Sequence, residues 1–451
     1  MGAKLILTSV LIAITSLYVY NRITAEPEKV NWPKAGYFGP GKPKPDDEKV
    51  YPFKIQVPEA AIKDLSSRLK NVKISHDDLE DAVGMTYGFT KKLLHVFKDY
   101  WLNNYNWRAE EEKLNKLSHF KTEIEGINLH FIHQKSDKYK KVLPLLLSHG
   151  WPGSVHEFSK IIPILIDPKS HGIQSEYAFN VVVPSIPGYG WSSASAKTGM
   201  NAGAVARIFH KLMIRLGYNK YLVQGGDWGS VIVANMARLY PEHVTGCHLN
   251  MFSSFRPDSL LQSLLITVAP GYFLHEESLK DYNIFKTLKF MIINGGYFHI
   301  QATTPDTLGI GLNDSPIGLL AWTVEKYILA TNLKYAQNPD LKEITKRISM
   351  DHLLTAVSLY WFNGNMLQAT RLYKENTHSA ELMQLHKQYI SVPTGYAAVE
   401  NDAVPAVPKR VIETAVNLTH YSFIPDLGHF FALEGPKQLA MDVFKFVDDL
   451  Q

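Results

Sequence analysis

YLVQGGDWGSVIVANMARLYP, residues 221–241, is the stretch on which the fold turns. An apolar run beginning at Tyr221 enters Gly225, Gly226, Asp227, Trp228 and Gly229, and an apolar-periodic segment follows. Small residues on both sides of a central Asp give the small-x-nucleophile-x-small pattern, in which a side chain is lifted above a sheet on a sharp strand-to-helix turn. Such a turn needs glycine, because a side chain beside it would strike the strand or the helix. A carboxylate at this point also sits at a helix N-terminus, which favours its charged form. The plainer alternative is an ordinary strand–turn–helix with Asp227 as N-cap. The neighbouring segments decide between the two.

Outward from this stretch, short apolar runs alternate with helical patterns. Strands are expected at 127–133, 142–148, 179–185, 221–226, 245–250, 389–395 and 421–425, and helices near 155–166, 201–216, 229–240 and 436–449. Unbroken apolar strands separated by amphipathic helices imply an α/β fold, a mainly parallel sheet with helices on both faces. The alternation stops between about 252 and 385, where helical patterns follow one another, as in a cap inserted between two strands. Residues 53–120 are mostly helical in pattern: Pro58 opens one helix, and Leu93, Leu94, Phe97 and Trp101 recur at helical spacing on another. Residues 23–52, rich in Pro, Gly and Lys, form an irregular arm.

Two more segments carry chemistry. HGWPGS, 149–154, directly follows the strand at 142–148, and a Gly/Pro turn there exposes backbone amides. The amides of Trp151 and of Trp228, the residue after Asp227, converge in principle on one oxyanion. Late in the chain, His429 follows the last strand. An imidazole with an ordinary pKa of about 6.5 can take and return a proton near neutrality. The order nucleophile, acid, histidine places the orienting acid after the strand at 389–395. Asp402 and Glu400 compete there, and Asp426, three residues before His429, reads as a turn residue.

Composition removes other classes. The 47 basic and 43 acidic residues give a net charge of +4, with no basic stripe, so nucleic acid is not an expected partner. One cysteine, Cys247, allows no internal disulfide and disfavours a cysteine metal site; in its apolar run it reads as a buried hydrophobe. Residues 5–20, LILTSVLIAITSLYVY, hold no charge and lie between Lys4 and Arg22. We read residues 1–22 as an uncleaved membrane anchor rather than a signal peptide, with the body of the protein on the cytosolic side.

The sequence resembles the microsomal epoxide hydrolases, including the insect juvenile hormone epoxide hydrolases, over nearly the whole chain. The resemblance is carried by GPGKPKPDD, PFKI, HFKTEIEGINLHFIH, HGWPGS, PSIPGYGWS, QGGDWGS, HLNM, GGYFHIQATTPDTLG, LNDSPIGL, YWFNGN, RLYKEN, VPTG and GHFFALEGP. It implies an α/β-hydrolase fold with an N-terminal membrane anchor (1–22), an arm and helical region (23–120), a core in two parts (121–251 and 386–451) and a helical cap (252–385). It implies conversion of lipophilic epoxides to vicinal diols through a hydroxyalkyl ester on Asp227, with His429 as base and no metal or organic cofactor. Two cap tyrosines, matching Tyr297 in GGYFHIQ and Tyr373 in RLYKEN, would protonate the epoxide oxygen. The family usually has Glu as the relay acid; counting from VPTG lands on Asp402, and a small register shift would make it Glu400. The resemblance also implies the endoplasmic reticulum membrane, a single span and a membrane partner. Phe273, Tyr282, Phe285 and Phe290 serve equally as substrate lining or cap core. Two other readings remain at this point: a haloalkane dehalogenase-like hydrolase, which shares the Asp and His, and a lipid-binding relative whose triad is impaired at the acid.

Overall fold

A computed structural model describes Pro27, residues 29–74 and residues 77–450. The expected anchor, residues 1–22, lies outside the described residues. Among the described residues, no helix is long and apolar enough to cross a membrane.

Nine strands form one sheet: β1 (Tyr51–Phe53), β2 (His119–Ile124), β3 (Ile127–Gln134), β4 (Lys141–Ser148), β5 (Tyr177–Pro184), β6 (Tyr221–Gly225), β7 (Val244–Leu249), β8 (Ile390–Asn401) and β9 (Val416–Gly428). Their order is β1-β2-β3-β5-β4-β6-β7-β8-β9. The pairs from β5 to β9 are parallel, and β1, β2 and β3 add an antiparallel edge. All five residues of β6 are buried, as an apolar strand covered on both faces should be. One face packs on the helices Ala202–Arg215 and Trp228–Leu239. The other packs on the terminal helix Pro436–Asp448, through Val443 and Phe446, and on Val155, Ile162 and Leu165.

The seven strands expected from apolar runs are all present. β1 and β2 were not anticipated. β1 is three residues long with none buried, and HFKTEI carries too much charge to read as an apolar run. A buried ion pair closes this edge: Arg207 meets Glu125, in the β2–β3 turn, through two hydrogen bonds of 2.7 Å, and it also donates to the Pro33 carbonyl of the arm.

Between β7 and β8 the chain is helical, from Pro257 to His386. The helices Pro316–Thr331 and Met350–Asn363 are fastened to the turn after β4. Tyr360 donates to the Gly153 carbonyl at 2.9 Å and Tyr327 to that of Pro152 at 3.4 Å. The His429 amide in turn donates to the Ala330 carbonyl at 2.9 Å. The inserted helices therefore hold the loops at one end of the sheet.

Candidate active site

Parallel strands deliver their carboxyl ends to the same edge, which is where sites form in open α/β sheets. Here the ends are also level. Ser148 of β4 pairs with Gly225 of β6, and Asn401 of β8 with Gly428 of β9. Trp151, Asp227, Asp402 and His429 each follow one of these four ends by three residues or fewer.

Asp227 has φ 51° and ψ −135°, a conformation that side-chain-bearing residues rarely adopt, and it stands directly before the helix Trp228–Leu239. Strain of this kind persists only where the surroundings enforce it. Gly229 lies so close to the Ser148 carbonyl that a Cβ there would overlap it. Gly150 lies equally close to the Asp227 carboxylate. These approaches bring the Trp151 amide within 2.8 Å of Asp227 Oδ1, to which it donates. Trp228 opens the helix, a position whose amide has no partner inside the helix.

His429 is buried. Its Nδ1–H donates to Asp402 Oδ1 at 2.7 Å, and its Nε2 stands 3.5 Å from Asp227 Oδ2. Burial opposes the charged ring, but Asp402 and Asp227 outweigh it and hold the pKa well above the usual histidine range. Asp402 Oδ1 also accepts from the Val404 amide at 2.8 Å, so the carboxylate is fixed from two sides. Glu400, the other candidate acid, does not reach the histidine. It is exposed and accepts from the Asp426 amide at 2.7 Å. A register irregularity between Val399 and Asn401 separates two positions that a regular strand would put on one face. Of the two candidate acids, Asp402 is the one in contact with the histidine.

Tyr297 and Tyr373 come from two different helices, Gly296–Thr303 and Met366–Thr377. Their rings meet edge to face at 6.1 Å between centroids. Trp151 stacks on Tyr297 at 5.6 Å, and Trp228 meets Tyr373 at 5.0 Å. Burial first, and the Asp227 charge with it, push both phenols above their ordinary pKa, so both stay protonated donors. Phe273, Tyr282, Phe285 and Phe290 do not line the space beside Asp227: Phe285 is 59 % exposed and Tyr282 bonds to Ser263. Trp151, Trp228 and Phe298 ring the two tyrosines.

A small cavity, with room for about one water molecule, lies between the turn after β4, the Asp227 turn and His429. Gly150, Trp151, Gly153, Asp227, His429 and Glu157 are among its lining residues. The sequence reading did not single out Glu157. Its signal was a lone carboxyl in the apolar stretch VHEF, eight residues after His149. Among the described residues, no group of three or more His, Cys, Asp or Glu could hold a metal ion.

The epoxide hydrolase N-terminus family model matches residues 50–158, and that of the alpha/beta hydrolase fold matches residues 144–273. The chain is 40 % identical to pig (Sus scrofa) epoxide hydrolase 1, with both chains covered in full. It is 37 % identical to juvenile hormone epoxide hydrolase 2 of Ctenocephalides felis, over 95 % of this chain and 93 % of that one. The crystal structure of juvenile hormone epoxide hydrolase from the silkworm Bombyx mori superimposes with a TM-score of 0.86 at 34 % identity, covering 93 % of this chain and 99 % of that one.

Proposed function

The chain belongs to the epoxide hydrolase family, and on that premise we propose that it converts lipophilic epoxides (juvenile hormone, xenobiotic epoxides or both) to vicinal diols through an ester on Asp227. The observation that carries this is the disposition of the Asp227 carboxylate. One oxygen is held by the Trp151 amide at 2.8 Å, and the other stands 3.5 Å from His429 Nε2 beneath the tyrosine pair.

Asp227 Oδ2 attacks a ring carbon and the C–O bond of the epoxide breaks. Tyr297 and Tyr373 donate to the oxygen as its charge grows. Once Asp227 is esterified, its charge no longer supports the imidazolium, and the His429 proton balances the one taken up by the new hydroxyl. The neutral ring, oriented by Asp402, then takes a proton from water, whose oxygen attacks Cγ of Asp227. Oδ1 becomes the oxyanion under the Trp151 and Trp228 amides. Collapse breaks the ester and returns carboxylate, imidazolium and diol, which is the starting state of the enzyme. Two moderate barriers replace one high one.

Trapping tests it. Acid-quenched enzyme, digested after mixing with substrate, should carry the substrate mass on the peptide spanning Asp227. Active turnover with no added mass there refutes the proposal. Juvenile hormone and styrene oxide, assayed side by side for diol, decide the substrate class. Chloride release from a chloroalkane at a comparable rate would instead favour dehalogenation.

The same proposal keeps the chain on the endoplasmic reticulum membrane through residues 1–22, with its catalytic part in the cytosol. Support comes from the uncharged run 5–20 and from the helix Ile284–Asn294, which buries no residue and exposes Phe285, Met291, Ile292 and Ile293. An exposed apolar helix beside lysines suits a lipid interface. Full-length protein released from microsomes by alkaline carbonate would contradict the anchor.

A further inference from the structure

Glu157 shares the cavity with Asp227 and His429 but has no part in the chemistry above. It sits in the short turn of helix Val155–Phe158, and its carboxyl makes no hydrogen bond to the protein among the described residues. Its place is built rather than incidental. Gly153 carries no Cβ where the Glu157 carboxyl passes, and a side chain at 153 would occupy its position. A carboxyl at the wall of a cavity, with no protein partner, needs water or a ligand to complete its hydrogen bonds. Retention of one beside the reacting carboxylate needs a reason.

We propose that Glu157 is the positioning residue for the hydrolytic water. One water hydrogen bonds to His429 Nε2, the other to a Glu157 carboxyl oxygen, and the free lone pair points at Cγ of Asp227. The cavity has room for about one water, and the three groups this scheme needs all line it. The inference rests on the ester reading of Asp227. Glu157 neither gains nor loses a proton over the cycle; the water proton goes to His429, and the water oxygen ends in the Asp227 carboxyl group.

Burial, tempered by His429 and reinforced by Asp227, pushes the Glu157 carboxyl up to about 7. The groups that face it are His429 after β9, Asp227 on its turn, and the phenols of Tyr327 and Tyr360 from the inserted helices. The helix Phe431–Glu434 also packs against it, but the Glu434 carboxylate is taken up by the amides of Gly428 and Phe430. On its own element, His156 stacks with His352 and is held neutral by burial.

The test separates the two half-reactions by rapid quench, using full-length protein and one epoxide that gives a trappable adduct. In Glu157→Ala the adduct should form at the wild-type rate and decay roughly 10- to 100-fold more slowly. The variant should therefore accumulate ester, with kcat and KM falling together. Glu157→Gln keeps an oxygen acceptor and should restore most of the decay rate while losing the ionisation near pH 7 from its pH profile. Equal slowing of formation and decay would mark a structural role and overturn the inference, as would unchanged decay in Glu157→Ala. Should Glu157→Ala fail to fold, Glu157→Leu is read by the same rapid quench, and unchanged ester decay in it overturns the inference. No adduct in the wild type would instead remove the ester reading, and this inference with it.

Discussion

Two buried clusters join histidine to aspartate in this molecule, one just beyond the carboxyl ends of β8 and β9 and one where the terminal helix meets the sheet. In the first, His429 bonds Asp402 at 2.7 Å and turns its other nitrogen toward Asp227 and the cavity. In the second, Asp442 of the terminal helix accepts from His248 of β7 at 2.9 Å and from His420 of β9 at 3.0 Å. His420 is bonded again, to Asp449, at 2.8 Å. The residue types and distances are nearly the same. What differs is the second nitrogen. In His420 it is spent on the protein, so the ring can only tie a helix to a sheet. In His429 it is 3.5 Å from a carboxylate, too long for a good hydrogen bond, so it is available to a reacting proton. His248 also leaves its Nδ1 without a partner among the described residues, so what distinguishes His429 is that its open nitrogen faces Asp227 and the cavity.

Substitutions can break or sharpen this contrast. Asp227→Asn should lower diol formation by about 100,000-fold, because no other group can hold the substrate carbon. His429→Gln should cost about 10,000-fold in turnover and leave the ester on Asp227 detectable by mass spectrometry. Asp402→Asn should cost somewhat less, about 1,000-fold or more in kcat, through loss of the ring's orientation. Glu400→Gln should leave kcat near the wild type, and a reversal of these two effects would refute the assignment of the acid. Tyr297→Phe should slow ester formation by about 10- to 100-fold without altering ester decay, as read by rapid quench.

The structural cluster should respond in the opposite way. Asp442→Asn should cost about 3–5 kcal/mol in urea unfolding while kcat per folded molecule is kept. The pH dependence has a definite sign. Burial lowers the His420 pKa, but Asp442 and Asp449 more than reverse this, so it lies above its ordinary value. Its contribution is complete below about pH 6.5 and is lost as pH rises through the raised value. Burial raises the Asp442 pKa, but its two histidines overcome that and hold it well below its ordinary value. Its contribution is present above about pH 4 and is lost as pH falls through the depressed value. The difference between wild type and Asp442→Asn should therefore be widest between about pH 4 and 6.5. A gap that grows steadily above pH 8 would contradict the assignment.

The contrast also explains what could be read from the chain. The Asp227 turn, HGWPGS and GHFF are local signals: each packs glycine and one reactive residue against a strand end, within a few positions. The frame was legible because the apolar runs of β4, β5 and β6 are continuous. The count from VPTG favours Asp402 over Glu400, but a regular strand would face the two alike, and only the irregularity near the end of β8 divides them. Glu157 was hidden because its importance comes from a cavity that folding creates. The His248, His420 and Asp442 cluster draws on three distant segments, and no local pattern marks such a meeting.

The covalent step is best tested by a single turnover in heavy-oxygen water with enzyme in excess. Ordinary oxygen should appear in the new hydroxyl of the first diol, with the label left in the Asp227 carboxylate. Label in that first diol, with none in the Asp227 peptide, would mean that water attacks the epoxide directly and that Asp227 never bonds to carbon.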